Sequence, residues 1–279
     1  MILICDCGST KAEWVVLDGD AVVKRFITNG FNPNFTDNMT MNKIIGEALN
    51  SIDNQDISNI YFYGSGCGSD GNQLKIKLIF SKLCCNAKTE VYPDTLAACH
   101  ALFGRNPGVA CILGTGSNAC VYDGENITQS VASLGFMIGD EGSGCHIGKR
   151  IVHDYFLGLM PEDLRTKFDE KYHLDRETFL KKVYQGEQPS RYLAEFAMFA
   201  MDNIDNQYIV KLVGGCFEEF INVGMRLATS LHDIAFVGSI AFTFQNILLQ
   251  VLENHNIKCS KILKNPMDGL IEYYKKIIA

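Results

Sequence analysis

The sequence predicts an α/β protein built from two copies of one strand-rich module. Three observations carry this reading. The first hundred residues alternate short β-rich runs with stretches of helical periodicity, and residues 109–124 repeat the pattern of residues 2–19. Between the copies lies Gly104-Arg105-Asn106-Pro107-Gly108, a Gly/Pro cluster that marks a domain boundary.

Taken in order, residues 2–6, 12–17 and 21–27 read as three successive strands, with Asp18-Gly19-Asp20 as a hairpin turn. The spacing of Met41, Ile44, Ile45, Ala48 and Leu49 predicts a helix over about 40–52. Ile60-Tyr61-Phe62-Tyr63 is a strand, and a helix follows over about 71–84. The strand Thr89-Glu90-Val91-Tyr92 ends at Pro93-Asp94, before a short helix at 95–103. The second module, VACILGTGSNACVYDG, is again strand, Gly-rich turn, strand and Asp-Gly hairpin. Laid over the first with Gly8-Ser9 on Gly116-Ser117, it places Asp6 on Gly114, so the acid belongs to the first copy alone. From about 143 the pattern is mostly helical, with a long helix at 206–231. The buried strand Ile234-Ala235-Phe236-Val237 breaks at Gly238-Ser239 and is followed by a helix at 240–254 and a strand near 257–263. A last helix starts at Pro266, where proline suits the first turn.

The composition narrows the partners. With 47% hydrophobic and 20% charged residues the chain can bury sizeable cores. A net charge of -7 argues against nucleic acid or an anionic membrane surface as the main partner. An anionic substrate would need local help from backbone N–H groups or a metal. The apolar runs fall short of a membrane span, and MILICD meets an acid too soon for a secretion signal. Eleven scattered cysteines, odd in number and without a CxxC pair, indicate neither a disulfide framework nor a zinc site. Reduced thiols fit a cytoplasmic location.

Asp6-Cys7-Gly8-Ser9-Thr10-Lys11 and Leu113-Gly114-Thr115-Gly116-Ser117-Asn118 put small residues where the chain reverses between strands. Glycine lets a phosphate approach the backbone, and Ser, Thr and Lys supply donors. A pair of tight hairpins without a ligand is the plainer reading of either turn. Two copies on equivalent strands, one with an acid able to hold a metal through water, favour a nucleotide.

The paired loops resemble those of the actin-like ATPase superfamily of sugar kinases, actin and heat-shock chaperones. Leu134-Gly135-Phe136-Met137-Ile138-Gly139-Asp140-Glu141-Gly142-Ser143-Gly144 after the LGTGSN loop is similar to the N-acetylglucosamine kinase group. That group sits within the BadF/BadG/BcrA/BcrD ATPase family, named for benzoyl-CoA reductase ATPase subunits. The resemblance implies two ribonuclease H-like domains, with an ATP and sugar cleft between them. They would be residues 1–107, joined by the C-terminal helix 266–279, and residues 108–265. It implies that Asp6, Gly8, Ser9, Thr10 and Lys11 form the first phosphate loop, with Asp6 orienting the water shell of Mg²⁺. Thr115 and Gly116 would form the second loop, and Gly238 and Ser239 the adenosine loop. Asn32, Ser117, Asn118 and Asp140 resemble the sugar-binding set, and Asp94 takes the place of the catalytic base. The implied cofactors are ATP and Mg²⁺, the implied substrate an amino sugar phosphorylated at its 6-hydroxyl, and the implied assembly a homodimer through the helical C-terminal half.

The chemistry asks separately for an acid such as Asp94. Phosphoryl transfer to a hydroxyl needs positioning, charge neutralisation and a carboxylate that accepts the proton. An Asp at the carboxyl end of a strand lies where open α/β sheets place ligands. The structural alternative is that Asp94 caps the helix at 95–103, and Asn32 before Pro33 could equally be a turn residue. Three other patterns carry less. Gly66-Cys67-Gly68-Ser69-Asp70-Gly71 matches a dinucleotide fingerprint, with Glu90 about twenty residues on, but it follows a late strand. Gly144 to Arg150 mimics a P-loop one residue short, with Arg where a hydroxyl must hold Mg²⁺. Cys84-Cys85, Cys99 and Cys111 could suggest the iron–sulfur cluster of reductase-activating ATPases, yet most of these thiols sit in apolar runs. N-acetylglucosamine kinase is the leading reading and glucosamine kinase the next. An ATPase activator of electron transfer and a non-catalytic sugar or nucleotide sensor are the alternatives from other classes.

Overall fold

A computed structural model describes residues 1–52, 56–227 and 233–278. The chain forms two compact units, Met1–Asn106 with Pro266–Ala279, and Pro107–Asn265. In the first unit the strands are β1 (Ile2–Cys7), β2 (Lys11–Asp18), β3 (Ala21–Asn29), β4 (Asn59–Gly64) and β5 (Lys88–Pro93). Its helices are α1 (Asn38–Asn50), α2 (Asp70–Leu83), α3 (Asp94–Phe103) and, from the far end of the chain, α13 (Met267–Ile278). The second unit has β6 (Gly108–Leu113), β7 (Ser117–Tyr122), β8 (Ile127–Ser130), β9 (Ile234–Val237) and β10 (Cys259–Leu263). Of its helices, α4 (Gly135–Ile138), α5 (Gly144–Phe156), α8 (Pro189–Glu195), α9 (Ala197–Asp202), α10 (Gln207–Gly224), α11 (Ser239–Thr243) and α12 (Gln245–Asn254) matter below; α6 (Glu162–Tyr172) and α7 (Arg176–Gln185) extend the helical layer.

The two sheets have the same topology. Their orders are β3-β2-β1-β4-β5 and β8-β7-β6-β9-β10. In each, the first two hairpins are antiparallel and the later strands run parallel to the first. The pairing corrects the register in which the copies were laid together. Leu3 faces Ile60 and Asp6 faces Tyr63, while Val109 faces Ile234 and Ile112 faces Val237. Ile60-Tyr61-Phe62-Tyr63-Gly64-Ser65 and Ile234-Ala235-Phe236-Val237-Gly238-Ser239 are themselves a repeat. Cys5 therefore matches Cys111, Gly8 matches Gly114, and Asp6 matches Ile112 rather than Gly114. The second turn is one residue shorter, because Cys7 pairs with Ala12 but Leu113 with Ser117. Asp6 still has no acidic counterpart in the second copy.

Each unit closes over its own core. Trp14, fully buried, stacks on Phe26 at 6.2 Å and donates its indole N–H to Thr28 Oγ1 at 2.9 Å. The predicted face of α1 is buried, and Asp37 caps the helix by accepting the Thr40 N–H at 2.9 Å. Helix α13 packs Met267, Leu270 and Tyr274 inward. The Tyr274 hydroxyl is 2.6 Å from that of Tyr63, which is 2.7 Å from His100 Nδ1. Burial holds His100 down at about 4 and therefore neutral at physiological pH.

Two helical expectations change. The helix expected at 206–231 ends at Gly224 and tightens into a 3₁₀ turn over Met225–Leu227; residues 228–231 lie outside the described residues, as does residue 279 of the terminal helix. Apolar periodicity continues through Met225 and Leu227, so spacing alone does not reveal the tightening. The helix expected at 240–254 breaks at Phe244, whose buried ring anchors the junction of α11 and α12. The short polar strand β8 was not anticipated; it pairs with β7 at the edge of the sheet. The dinucleotide-like glycines at 66–71 lead into the N-terminus of α2, where Ser69 is the cap, and Glu90 is paired with Lys88 at 3.0 Å. The P-loop mimic is the start of α5, and Lys149 Nζ donates to the Phe136 carbonyl.

Candidate active site

In the first unit β1 delivers Asp6 to the edge of an exposed turn. The Gly8 N–H closes that turn on the Lys11 carbonyl at 3.0 Å. The N–H groups of Ser9 and Thr10 have no partner among the described residues, so the turn presents donors to an anion. The turn is held from behind by Gly30, whose N–H donates to the Thr10 carbonyl at 2.8 Å. A Cβ at Gly30 would lie 2.0 Å from the Gly8 carbonyl oxygen, so no other residue permits this approach. This is the physical sense of glycine in Gly30-Phe31-Asn32-Pro33.

Asn32 serves its own turn, since its Oδ1 accepts the Asn34 N–H at 3.0 Å. Its amide Nδ2 is left without a partner among the described residues, and the side chain packs directly on Gly66. Asn72 locks this corner. Nearly buried, it donates to Asn34 Oδ1 at 2.7 Å and to the Gly66 carbonyl at 2.9 Å, and accepts from Lys75 at 3.0 Å. The glycine-rich turn at 66–71 thus supports the Asn32 loop.

Asp94 is not a helix cap. It is the first residue of α3, the cap position is Pro93, and no side-chain capping bond forms. Its Oδ2 instead accepts the Ser65 hydroxyl proton at 2.8 Å, while Oδ1 has no hydrogen bond among the described residues. Asp6 feels the charge of Asp94. Burial, then the Asp94 charge, then Glu13 push Asp6 up to about 7, against the pull of Lys11. Such a carboxyl gains most from a nearby cation, so the donor set here fits Mg²⁺ held through water.

The sign of that shift predicts a stability effect. A carboxyl raised from 3.8 to about 7 binds its proton more tightly in the folded state. Asp6 therefore costs stability progressively as pH rises from about 4 to about 7, and constantly above. Asp6→Asn should raise the thermal midpoint by several degrees at pH 8 and by almost nothing at pH 4. An equal shift at both pH values, read by calorimetry without ligand, would show that ionisation of Asp6 is not the source.

In the second unit the shorter turn closes the same way, Gly114 N–H to the Gly116 carbonyl at 2.9 Å, and the Thr115 and Gly116 N–H groups are unpartnered among the described residues. The first N–H groups of α5 fix this turn: Gly144 donates to the Gly114 carbonyl at 2.8 Å and Cys145 to that of Thr115 at 3.1 Å. Asp140, at a positive φ of 60°, lays its carboxylate over Gly116 and accepts the Ser117 N–H at 3.2 Å. Burial raises its pKa. The segment beyond is pinned by Ser143, which caps α5, and by His146, whose Nδ1 accepts the Gly142 N–H at 3.0 Å. Asn118 Oδ1 is buried with no partner among the described residues, in a small cavity that Asp140, Ser133 and Phe220 also line. A buried acceptor without a donor is costly, and a ligand hydroxyl or amide would satisfy it.

Gly238, with φ 131°, stacks its Cα against the end of β6 and donates to the Leu263 carbonyl at 2.9 Å. Ser239 then starts α11 at the mouth of a cavity of about 140 Å³. Gly114, Thr115 and Ser239 form its polar side, and Ala197, Met198 and Phe244 an apolar wall. A slot with one polar and one apolar side can take a planar ring beside the Gly114–Gly116 turn. Its apolar wall and Ser65 were not among the residues picked out from sequence. The Ile-x-Phe-x-Gly-Ser repeat would have drawn attention to Ser65 beside Ser239.

Among the described residues no helix is long and apolar enough to cross a membrane. Cys84 and Cys111 lie in the hydrophobic cores of separate units and Cys99 is buried, whereas Cys85 is exposed, so these cysteines form no common cluster.

Known proteins place the architecture. A Porphyromonas gingivalis protein provisionally assigned as an N-acetylglucosamine kinase matches with a TM-score of 0.95 at 33% identity, over 99% of each chain. A Chromobacterium violaceum protein with the same provisional assignment matches at 0.77 and 14% identity, over 98% of this chain and 99% of that one. Component A of the Acidaminococcus fermentans (R)-2-hydroxyglutaryl-CoA dehydratase shares the fold at 0.53 and 15% identity, over 99% and 98%. No curated protein sequence matches. The units are ribonuclease H-like domains of the actin-like ATPase class. Since the model of the BadF/BadG/BcrA/BcrD ATPase family matches residues 5–198, most of the chain, this protein belongs to that family.

Proposed function

We propose that the protein is an ATP-dependent kinase of an amino sugar, N-acetylglucosamine before glucosamine, producing the 6-phosphate. The observation that carries the reading is Asp94: a carboxylate at the end of a parallel strand, excluded from capping, with one oxygen held by Ser65 and the other available. That is the requirement for a base that accepts the proton of an attacking hydroxyl.

The first unit contributes Asp94, Asp6 and the Ser9 and Thr10 donors, with Lys11 adding positive charge. The second contributes the Thr115 and Gly116 donors and the slot beside Gly238 and Ser239 for adenosine. Asp6 would hold Mg²⁺ through water, and the ion would supply neutralisation of charge on the phosphate oxygens. Asn32 Nδ2, the Asn118 carboxamide, Ser117 and the Asp140 carboxylate are the groups assigned to sugar hydroxyls and the N-acyl group. The choice of N-acetylglucosamine draws on the Porphyromonas gingivalis match at 33% identity. A cytoplasmic homodimer with no nucleic-acid or membrane partner completes the proposal.

The test is ADP release with Mg²⁺–ATP across glucosamine, mannosamine, galactosamine and their N-acetyl forms. Release stimulated most by N-acetylglucosamine, and abolished by a chelator, is expected. Sugar-independent ATP hydrolysis, or no turnover with any of them, would overturn the assignment.

A further inference from the structure

The geometry points to Ser65 as the positioning residue of the proton acceptor, fixing which oxygen of Asp94 does the chemistry. The inference rests on the kinase reading above. Ser65 follows the last residue of β4, and its backbone N–H donates to the Cys7 carbonyl at 2.9 Å, immediately after Asp6 on β1. Its hydroxyl donates to Asp94 Oδ2 at 2.8 Å, across from the end of β5 to the start of α3. A serine hydroxyl has one proton. Once given to Oδ2, it removes the rotation that would otherwise let either carboxyl oxygen face the substrate, and Oδ1 is left to receive the sugar proton. The same residue therefore ties three strand ends together: its backbone to β1, its own place to β4, its side chain to Asp94 after β5. Cys67, buried two residues on, and the half-buried Pro93 keep the corner from turning freely.

The topological counterpart of Ser65 is Ser239, at the same place after β9 in the second unit. Ser239 opens α11 beside the adenosine slot and has no carboxylate partner among the described residues. The hydrogen bond to Asp94 is thus particular to the first unit and is not a demand of the strand–turn–helix geometry.

A double-mutant cycle tests this in the intact protein, with Mg²⁺–ATP and N-acetylglucosamine or glucosamine, whichever turns over. Ser65→Ala should lower kcat about tenfold, in the range expected for losing a hydrogen bond to a charged group. The sugar KM and the thermal midpoint should hardly move. Ser65→Thr, which keeps the hydroxyl, should recover most of the rate. In the Asp94→Asn background, Ser65→Ala should cost nothing further. If Ser65→Ala lowers the rate by the same factor in both backgrounds, Ser65 acts elsewhere and the inference is wrong. An unchanged kcat in Ser65→Ala, with Asp94→Asn inactive, overturns the inference and leaves the kinase reading standing. An Asp94→Asn protein at the wild-type rate removes Asp94 as the base and the inference with it, as does a wild-type protein that turns over neither sugar.

Discussion

Asp94→Asn is expected to lower kcat by about 100- to 10,000-fold, the usual contribution of a general base, while leaving ATP binding and folding nearly intact. The neutral amide keeps the volume but cannot take up the hydroxyl proton. The structure sharpens what the experiment means. Since Pro93 occupies the cap position and Asp94 makes no capping bond, a loss of rate cannot be ascribed to an uncapped α3. Only a first-turn charge is lost, worth about 0.3–1 kcal/mol at a helix N-terminus, so the thermal midpoint should fall slightly. Steady-state kinetics and a melting curve on the same sample decide it. A variant that retains kcat would show that proton acceptance lies with another group.

The second large effect is expected at Gly238→Ala. A Cβ there would stand 2.1 Å from the Leu113 carbonyl oxygen and 3.1 Å from the Gly114 nitrogen, and the backbone φ of 131° is one that residues with side chains rarely adopt. The clash is with main chain on both counts, so no rotamer change relieves it. Either β9 parts from β6 or the turn at Gly114 is displaced. We expect a loss of more than about 3 kcal/mol in stability and an ATP KM raised at least tenfold in whatever folded fraction remains. Chemical denaturation and nucleotide titration would read both. A variant that melts like the wild type and binds ATP normally would mean that the close approach of Gly238 to the turn is not maintained in solution.

Much of this was legible in the chain, for reasons that differ from place to place. The strands that open each unit are short, apolar and bounded by Gly-rich turns, so period and punctuation identified them together. A strand that ends at Asp94 and a helix that begins there mark the position, and the role of base comes largely from the family resemblance. The register of the repeat is not legible in sequence, because Gly8-Ser9 and Gly116-Ser117 invite superposition whereas the turns differ by one residue, as the strand pairing reveals. The internal repeat marks the position of Ser65, but its role is legible only once its hydroxyl is seen 2.8 Å from a carboxylate. The slot beside Ser239 was hidden for a deeper reason. Much of its wall comes from α8 and α9, helices whose inward faces are set by packing on α5 and not by any motif.

The split of the first unit has a consequence for biosynthesis. Its sheet is complete once residue 93 has been made, yet α13, which supplies Tyr274 to the Tyr63–His100 chain and Asp268 to Arg25, is translated only after the whole second unit. The usual order, in which the N-terminal domain matures first, is therefore unavailable here. The continuous unit Pro107–Asn265 can close during translation, while the earlier half waits with the α3 surface around Ala101 and His100 uncovered. The α3 helix that Asp94 begins gains its full support only with α13, so a nascent or truncated product without Met267–Ile278 lacks it.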